Sequence, residues 1–267
     1  MAMLQIGDSG PAVRKLQQAL LAAGFNPGKA DGDFGAGTEA AVMAFQHSAG
    51  LLHDGIAGPR TLRALGLARS DKLPSATDRF SVQVVAQMFP QTPLGPIREH
   101  LPPVLEAMKT ADLADRVMLL AALATIRAET AGFLPIDEGP SRFNTSPRGH
   151  PFDLYDRRAD LGNHGEPDGA RYKGRGFVQL TGRHNYTVYA ERLQQPLVEQ
   201  PELANTPDVA AAVLAAFLKD RELQIKSSLM EGDLRAARRA VNGGSHGLEA
   251  FAEAYRVGDM LTDDEDL

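Results

Sequence analysis

Glu129 closes a run in which no charged side chain lies between Arg116 and Arg127, just before Gly132. A helix of that composition is buried for most of its length. A carboxyl at its C-terminal end is partly desolvated and faces the negative end of the helix dipole. Both effects favour the neutral acid that general acid catalysis near neutral pH requires. The residues alone equally allow a solvated glutamate at a helix end, paired with Arg127 or Arg142. A base to complement the acid would come from Gly132 to Ala170, which is rich in Pro, Gly, Asp, Arg and Asn and too long for a plain connector. That stretch reads as the wall of a groove and carries Asp137, Glu138, Asp153, Asp156, Asp160, Glu166 and Asp168.

Arg171 to Tyr186, R-Y-K-G-R-G-F-V-Q-L-T-G-R-H-N-Y, supplies a third kind of chemistry. Its glycines punctuate an alternating run that predicts a strand over Phe177–Thr181 with tight turns at both ends. Gln179, Thr181 and Asn185 offer neutral donors and acceptors, and Tyr172 and Tyr186 offer flat faces. Such groups suit a sugar chain, with its hydroxyls and its C–H faces. A metal is not expected: His164, Glu166 and Asp168 alternate on a loop, and no H-E-x-x-H spacing is present. No organic cofactor is expected either.

The elements that must position these groups fall into two domains. In residues 3–66 the pattern D-G-x-x-G-x-x-T occurs twice, from Asp31 to Thr38 and from Asp54 to Thr61. Each copy leads into a helical apolar face, with Ala41, Val42 and Phe45 after the first and Leu62 and Leu65 after the second. An earlier helix places Val13, Leu16 and Leu20 at helical spacing behind Gly10-Pro11. The expectation is a compact three-helix domain over 1–67, then a linker over 68–78 rich in Ser, Pro and charge. Residues 79–267 would form a larger, predominantly helical domain with a short β-hairpin region and a groove, making the fold mainly α. Helices are predicted over Phe80–Phe89, Ile97–Met108, Leu113–Ala131, Asn185–Leu193, a segment opened by Thr206-Pro207-Asp208, and Asp233–Val241.

Bulk composition narrows the partners. The 267 residues are 43% apolar and 23% charged, with a net charge of −6 that argues against nucleic acid. The first 66 residues are balanced (Arg14, Lys15, Lys29, Arg60 and Arg63 against Asp8, Asp31, Asp33, Glu39 and Asp54), so the larger domain carries the acidity. There is no cysteine, which removes disulfides and thiolate metal sites. There is no Trp, so Tyr and Phe must do any stacking. No segment reaches the length of a membrane span, so no membrane insertion is expected, and the N-terminus lacks a basic n-region and an apolar h-region. These features suit a monomer made in a reducing cytoplasm without a signal peptide and used outside it.

Two families share these motifs. The run from Tyr172 to Tyr186 resembles the Y-x-G-R-G-x-x-Q-L-[ST]…N-Y signature of glycoside hydrolase family 19, the chitinases and chitinase-like phage lysozymes. The context A-E-T-A-G-F around Glu129 resembles that family's H-E-[TS]-G-G-F, with Ala128 where His often stands. Residues 3–66, with G-x-x-V-x-x-L-Q, DG-x-F-G-x-x-T and A-V-x-x-F-Q, resemble the peptidoglycan-binding domain often joined to cell-wall hydrolases. The resemblance implies a lysozyme-like catalytic domain in which Glu129 is the acid. Glu138, nine residues on across a turn with Gly132 and Pro135, stands where phage members carry the second carboxylate, and Glu166 is the reserve. It further implies that Thr181 helps place a water, that Tyr172, Gln179, Asn185 and Asn242 (in N-G-G) hold sugars, and that Arg256 lines the groove.

The function implied is an endolysin-type muramidase that inverts at the β-1,4 bond between N-acetylmuramic acid and N-acetylglucosamine, with bacterial peptidoglycan as partner and the cell wall as its place of action. A chitinase on the same fold is the alternative. A lytic transglycosylase, which needs one Glu, and a non-catalytic wall-binding protein are the others.

Overall fold

The computed structural model describes residues 3–68, 73–244 and 246–263. Of the expected linker, 69–72 lie outside the described residues, as do 264–267 of the acidic tail and residues 1–2. The described chain is mainly helical, its only β pairing being isolated bridges. It divides into two compact units, 1–74 with 223–233, and 75–222 with 234–267.

In the first unit, α1 (Pro11–Ala22), α2 (Ala36–Ser48) and α3 (Pro59–Ala64) enclose Val13, Leu16, Leu20, Phe34, Val42, Phe45 and Leu62. The repeated D-G pattern has a repeated cause. Gln17, 1% exposed, donates to Asp31 Oδ1, Asp33 O and Thr38 Oγ1 and accepts from Gly32 N at 2.8 Å. Gln46, also 1% exposed, donates to Asp54 Oδ1, Ile56 O and Thr61 Oγ1 and accepts from Gly55 N at 3.0 Å. One buried amide thus closes each turn onto the helix that follows it. Gln17→Leu or Gln46→Leu strands a buried N–H and several acceptors, and each is expected to cost about 2–4 kcal/mol. Thermal unfolding checks this, and a loss under about 0.5 kcal/mol for both, within the range of an ordinary surface change, would contradict it.

The second unit is built around α6 (Arg116–Thr130), following α4 (Val82–Met88) and α5 (Leu94–Thr110). Asp115 caps α6 by accepting from Met118 N, and Met118 through Ile126 are all fully buried. Burying each large apolar side chain there contributes about 1.5–3 kcal/mol. After α7 (Asp168–Arg171) come α8 (Arg183–Leu193), α9 (Pro207–Lys219), α11 (Leu234–Asn242) and α12 (Leu248–Thr262), while α10 (Glu222–Met230) belongs from Leu223 onward to the first unit. Helix α12 packs along α6, and α5 along α9. Gly258 permits the first approach, since a Cβ there would lie 2.6 Å from Leu120 Cδ2. The two helices run antiparallel. Gly247 faces Ala128, Gly258 faces Leu120, and Arg116 reaches Thr262 O at 3.0 Å to cap the last turn of α12. No helix among the described residues is long and apolar enough to cross a membrane.

Over the central run the structure differs from the predicted strand. Residues 176–179 form a turn, closed by one bridge in which Arg175 and Leu180 exchange two backbone hydrogen bonds. Positive φ at Gly176 (75°) and Gln179 (51°) bends the chain where alternation alone suggests extension.

Candidate active site

Glu129 lies in the last turn of α6, its side chain 15% exposed. The chain leaves the helix through Ala131 (φ 52°), whose carbonyl accepts from Thr92 Oγ1 at 2.8 Å, and Phe133 (φ 56°). Phe133 is buried edge-on against Phe89 and Phe177, so the exit turn is fastened to the Arg175–Leu180 turn by edge-to-face ring contacts. Glu129 Oε1 accepts from Arg238 Nη2 at 2.6 Å, while Oε2 has no hydrogen-bond partner among the described residues. Neither Arg127 nor Arg142 takes that place.

Arg238 is fully buried. Its Nε donates to His246 O at 2.9 Å, and the same carbonyl accepts from Asn242 Nδ2 at 3.0 Å. Glu129, Arg238, Asn242 and His246 are therefore one connected set. Asn242 itself is exposed at the end of α11, its Oδ1 accepting from Gly244 N at 2.9 Å.

A second set surrounds Glu138. Its backbone N–H donates to Gly174 O at 2.7 Å, and Gly174 N donates back to Oε2 at 3.1 Å. Oε1 accepts from Asn144 Nδ2 at 2.9 Å and from Tyr155 Oη at 3.0 Å. Asn144 is fully buried, and its amide also donates to Gly139 O and accepts from Ser141 N and Thr145 Oγ1, so its orientation is fixed. Burial and the neighbouring Glu138 charge push the Tyr155 hydroxyl up to about 12, which keeps it a donor. A carboxylate has about four lone-pair sites; three donors here leave one free.

Gln179 and Thr181 join this set. A Cβ on Gly174 would sit 2.8 Å from Gln179 Oε1 and 3.1 Å from Glu138 Oε2, so only glycine lets backbone, amide and carboxylate meet. Gln179 Nε2 donates to Ile136 O at 3.0 Å. Thr181 Oγ1 donates to Gln179 O, and Asn185 Nδ2 to Thr181 O, each at 2.8 Å. The adjacent Asp137 is committed elsewhere, to Lys173 at 2.6 Å, Arg175 at 3.0 Å and Asn205 at 2.7 Å. Burial opposes its ionisation, but hydrogen bonds from Lys173 and Asn205 with the two cationic charges outweigh that and hold it below the usual carboxylate range.

Four residues stand elsewhere than the sequence suggests. Tyr172 and Tyr186 are 1% and 0% exposed, their rings 5.3 Å apart in a core with Leu180, Tyr189 and Leu197. Tyr172 spends its hydroxyl on Val198 O, so it supports the turn from beneath and presents no face to a ligand. Arg256 is exposed on α12, level with the Leu120 end of α6 and about 13 Å from the Glu129 end by helical rise. The arginine that does reach Glu129 is Arg238. Glu166 is 74% exposed and lies 3.8 Å from His150, which sits 3.0 Å from Asp156. Of the other loop residues weighed as ligands, Asp168 is buried in a two-point pair with Arg183, and His164 offers it only a backbone N–H.

Sequence reasoning missed Arg238, Asn144 and Tyr155. Arg238 left a signal: Leu234, Ala237, Arg238 and Val241 share the apolar stripe of α11, where an arginine needs a buried anion. Asn144 and Tyr155 left none, because their bonds to Glu138 form only once the loop folds.

Residues 9–65 match the family model described as "Putative peptidoglycan binding domain". A "Glycosyl hydrolase family 19 domain-containing protein" of Haemophilus influenzae is 29% identical over 112 residues, 42% of this chain and 52% of that protein. A "Probable N-acetylmuramoyl-L-alanine amidase" of Bacillus licheniformis is 47% identical over 70 residues, 26% of this chain and 20% of its own length. These matches span about half of the first relative and a fifth of the second. Chitinase C from Streptomyces griseus HUT6037 aligns over 69% of this chain and 76% of its own at 18% identity, with a TM-score of 0.48. The chain thus joins a module matching the peptidoglycan-binding family to a part similar to a glycosyl hydrolase family 19 protein.

Proposed function

We propose that this protein is a bacterial cell-wall hydrolase, and more narrowly a muramidase that cleaves the β-1,4 bond between N-acetylmuramic acid and N-acetylglucosamine with inversion. The match of residues 9–65 to a peptidoglycan-binding family supports the wall as target, and similarity to a family 19 protein supports glycosidic chemistry. The observation that carries the reading is the pair of partly buried carboxylates nine residues apart, each held by named donors and each with an acceptor site left over. Glu129 is held at Oε1 by Arg238, leaving Oε2 to deliver a proton to the leaving oxygen. Glu138, held by Asn144, Tyr155 and Gly174, has one lone pair left to take a proton from a water.

Thr181 gives its proton to Gln179 O and keeps its lone pairs to steer that water. Gln179, Asn185 and Asn242 would hold the sugars, with Tyr172 acting from below. The protein's own groups supply both proton transfers, and no cofactor enters these steps.

Gly174→Ala tests the placement of Glu138. The added methyl forces Gln179 and the carboxylate apart, and a displacement of that kind costs about 10- to 100-fold in turnover. Initial rates of wall clearing, with circular dichroism to confirm folding, check it; a folded variant at the wild-type rate would remove Glu138 from the mechanism.

A further inference from the structure

An exposed ring stands one residue from Asn144, the partner of Glu138, although Tyr172 and Tyr186 are buried and the chain has no Trp. Phe143 is 73% exposed. It rides on a turn in which Thr145 N donates to Ser141 O at 2.9 Å and Phe143 N to Ser141 Oγ at 3.3 Å. The next residue, Asn144, is the one whose amide holds Glu138. The Arg142 guanidinium lies over the Phe143 ring, 4.8 Å from its centroid, and makes no ion pair among the described residues. Asp137 pairs with Lys173 and Arg175, and Asp160 with Arg158. Arg142 is thus an exposed cation on the loop that carries Glu138.

We propose that Phe143 and Arg142 recognise an anionic N-acetylated glycan, the ring taking the C–H face of a sugar and the guanidinium the carboxylate of its lactyl-linked peptide. The proposal rests on reading Glu129 and Glu138 as the hydrolytic pair. A neutral β-1,4-linked N-acetylglucosamine polymer offers the same sugar face and nothing to the cation. The pair thus discriminates between two polymers that the carboxylates treat alike.

The test compares the full-length protein with Arg142→Gln and Phe143→Ala on two soluble substrates, a peptide-bearing peptidoglycan tetrasaccharide and chitotetraose. Arg142→Gln is expected to raise KM about three- to tenfold on the anionic substrate only, with kcat unchanged, and the difference should fade at high salt. Phe143→Ala should raise KM on both. Equal KM for wild type and Arg142→Gln on the peptidoglycan fragment, or an equal rise on both substrates, overturns the proposal. Backbone amide shifts of residues 141–145, followed in Glu129→Gln on adding the peptidoglycan tetrasaccharide, decide the matter independently of turnover. Shifts there support recognition even if Glu129 proves not to be the acid, and unmoved amides overturn it.

Discussion

Glu129→Gln is expected to abolish the clearing of purified bacterial walls, lowering the rate by about 10²- to 10⁴-fold, the range that a positioned general acid contributes. The amide keeps an oxygen where Oε1 meets Arg238, so the exit of α6 and the Arg238–His246 contact stay assembled. What disappears is a carboxyl that can take up a proton at Oε2 and deliver it. The melting temperature should fall by only a few degrees, because Arg238 exchanges a charged acceptor for a neutral one. Glu129→Ala would lose the acceptor as well and unfold sooner. Wall clearing by Glu129→Gln at the wild-type rate would remove the acid from the mechanism while leaving the wall-binding module untouched.

Arg238→Met should be the most destabilising single change in the larger unit. It removes a fully buried guanidinium from Glu129 and from His246 O, leaving a mostly buried carboxylate and a turn carbonyl without their donor. Breaking such a pair from one side costs about 3–5 kcal/mol, which for a unit of this size lowers the melting temperature by on the order of 10 °C. Adding Glu129→Gln to Arg238→Met should recover part of that loss, since the stranded charge is then gone. Thermal melts of the two single variants and the double variant give the coupling. Strict additivity would mean that the contact does not hold the site together.

Local chemistry explains what could be read in advance. Helix α6 was legible because an uncharged run too short to span a membrane packs as a buried helix, and α9 because Thr206-Pro207-Asp208 marks a helix start. The D-G repeat was legible as well, though its atomic reason, a buried glutamine closing each turn, emerged only from the fold. The strand over Phe177–Thr181 misled for a physical reason: alternation reports which faces are buried, not whether φ stays negative. Tyr172 and Tyr186 read as ligand faces because sequence cannot separate a ring against a sugar from a ring against another ring. Arg256 was chosen by position in a motif, whereas the structure sets Arg238 beside Glu129. The Asn144–Tyr155–Glu138 contacts span 6 and 17 residues through an irregular loop, and no periodicity encodes them.

The cleaved bond itself is the most direct evidence. Purified peptidoglycan digested by the protein, reduced with borohydride and analysed by mass should yield fragments ending in N-acetylmuramicitol, with none carrying 1,6-anhydro ends. New ends in reduced N-acetylglucosamine, in anhydromuramic acid, or at the amide joining muramic acid to its peptide would each contradict hydrolysis by Glu129 and Glu138 at the muramic acid linkage.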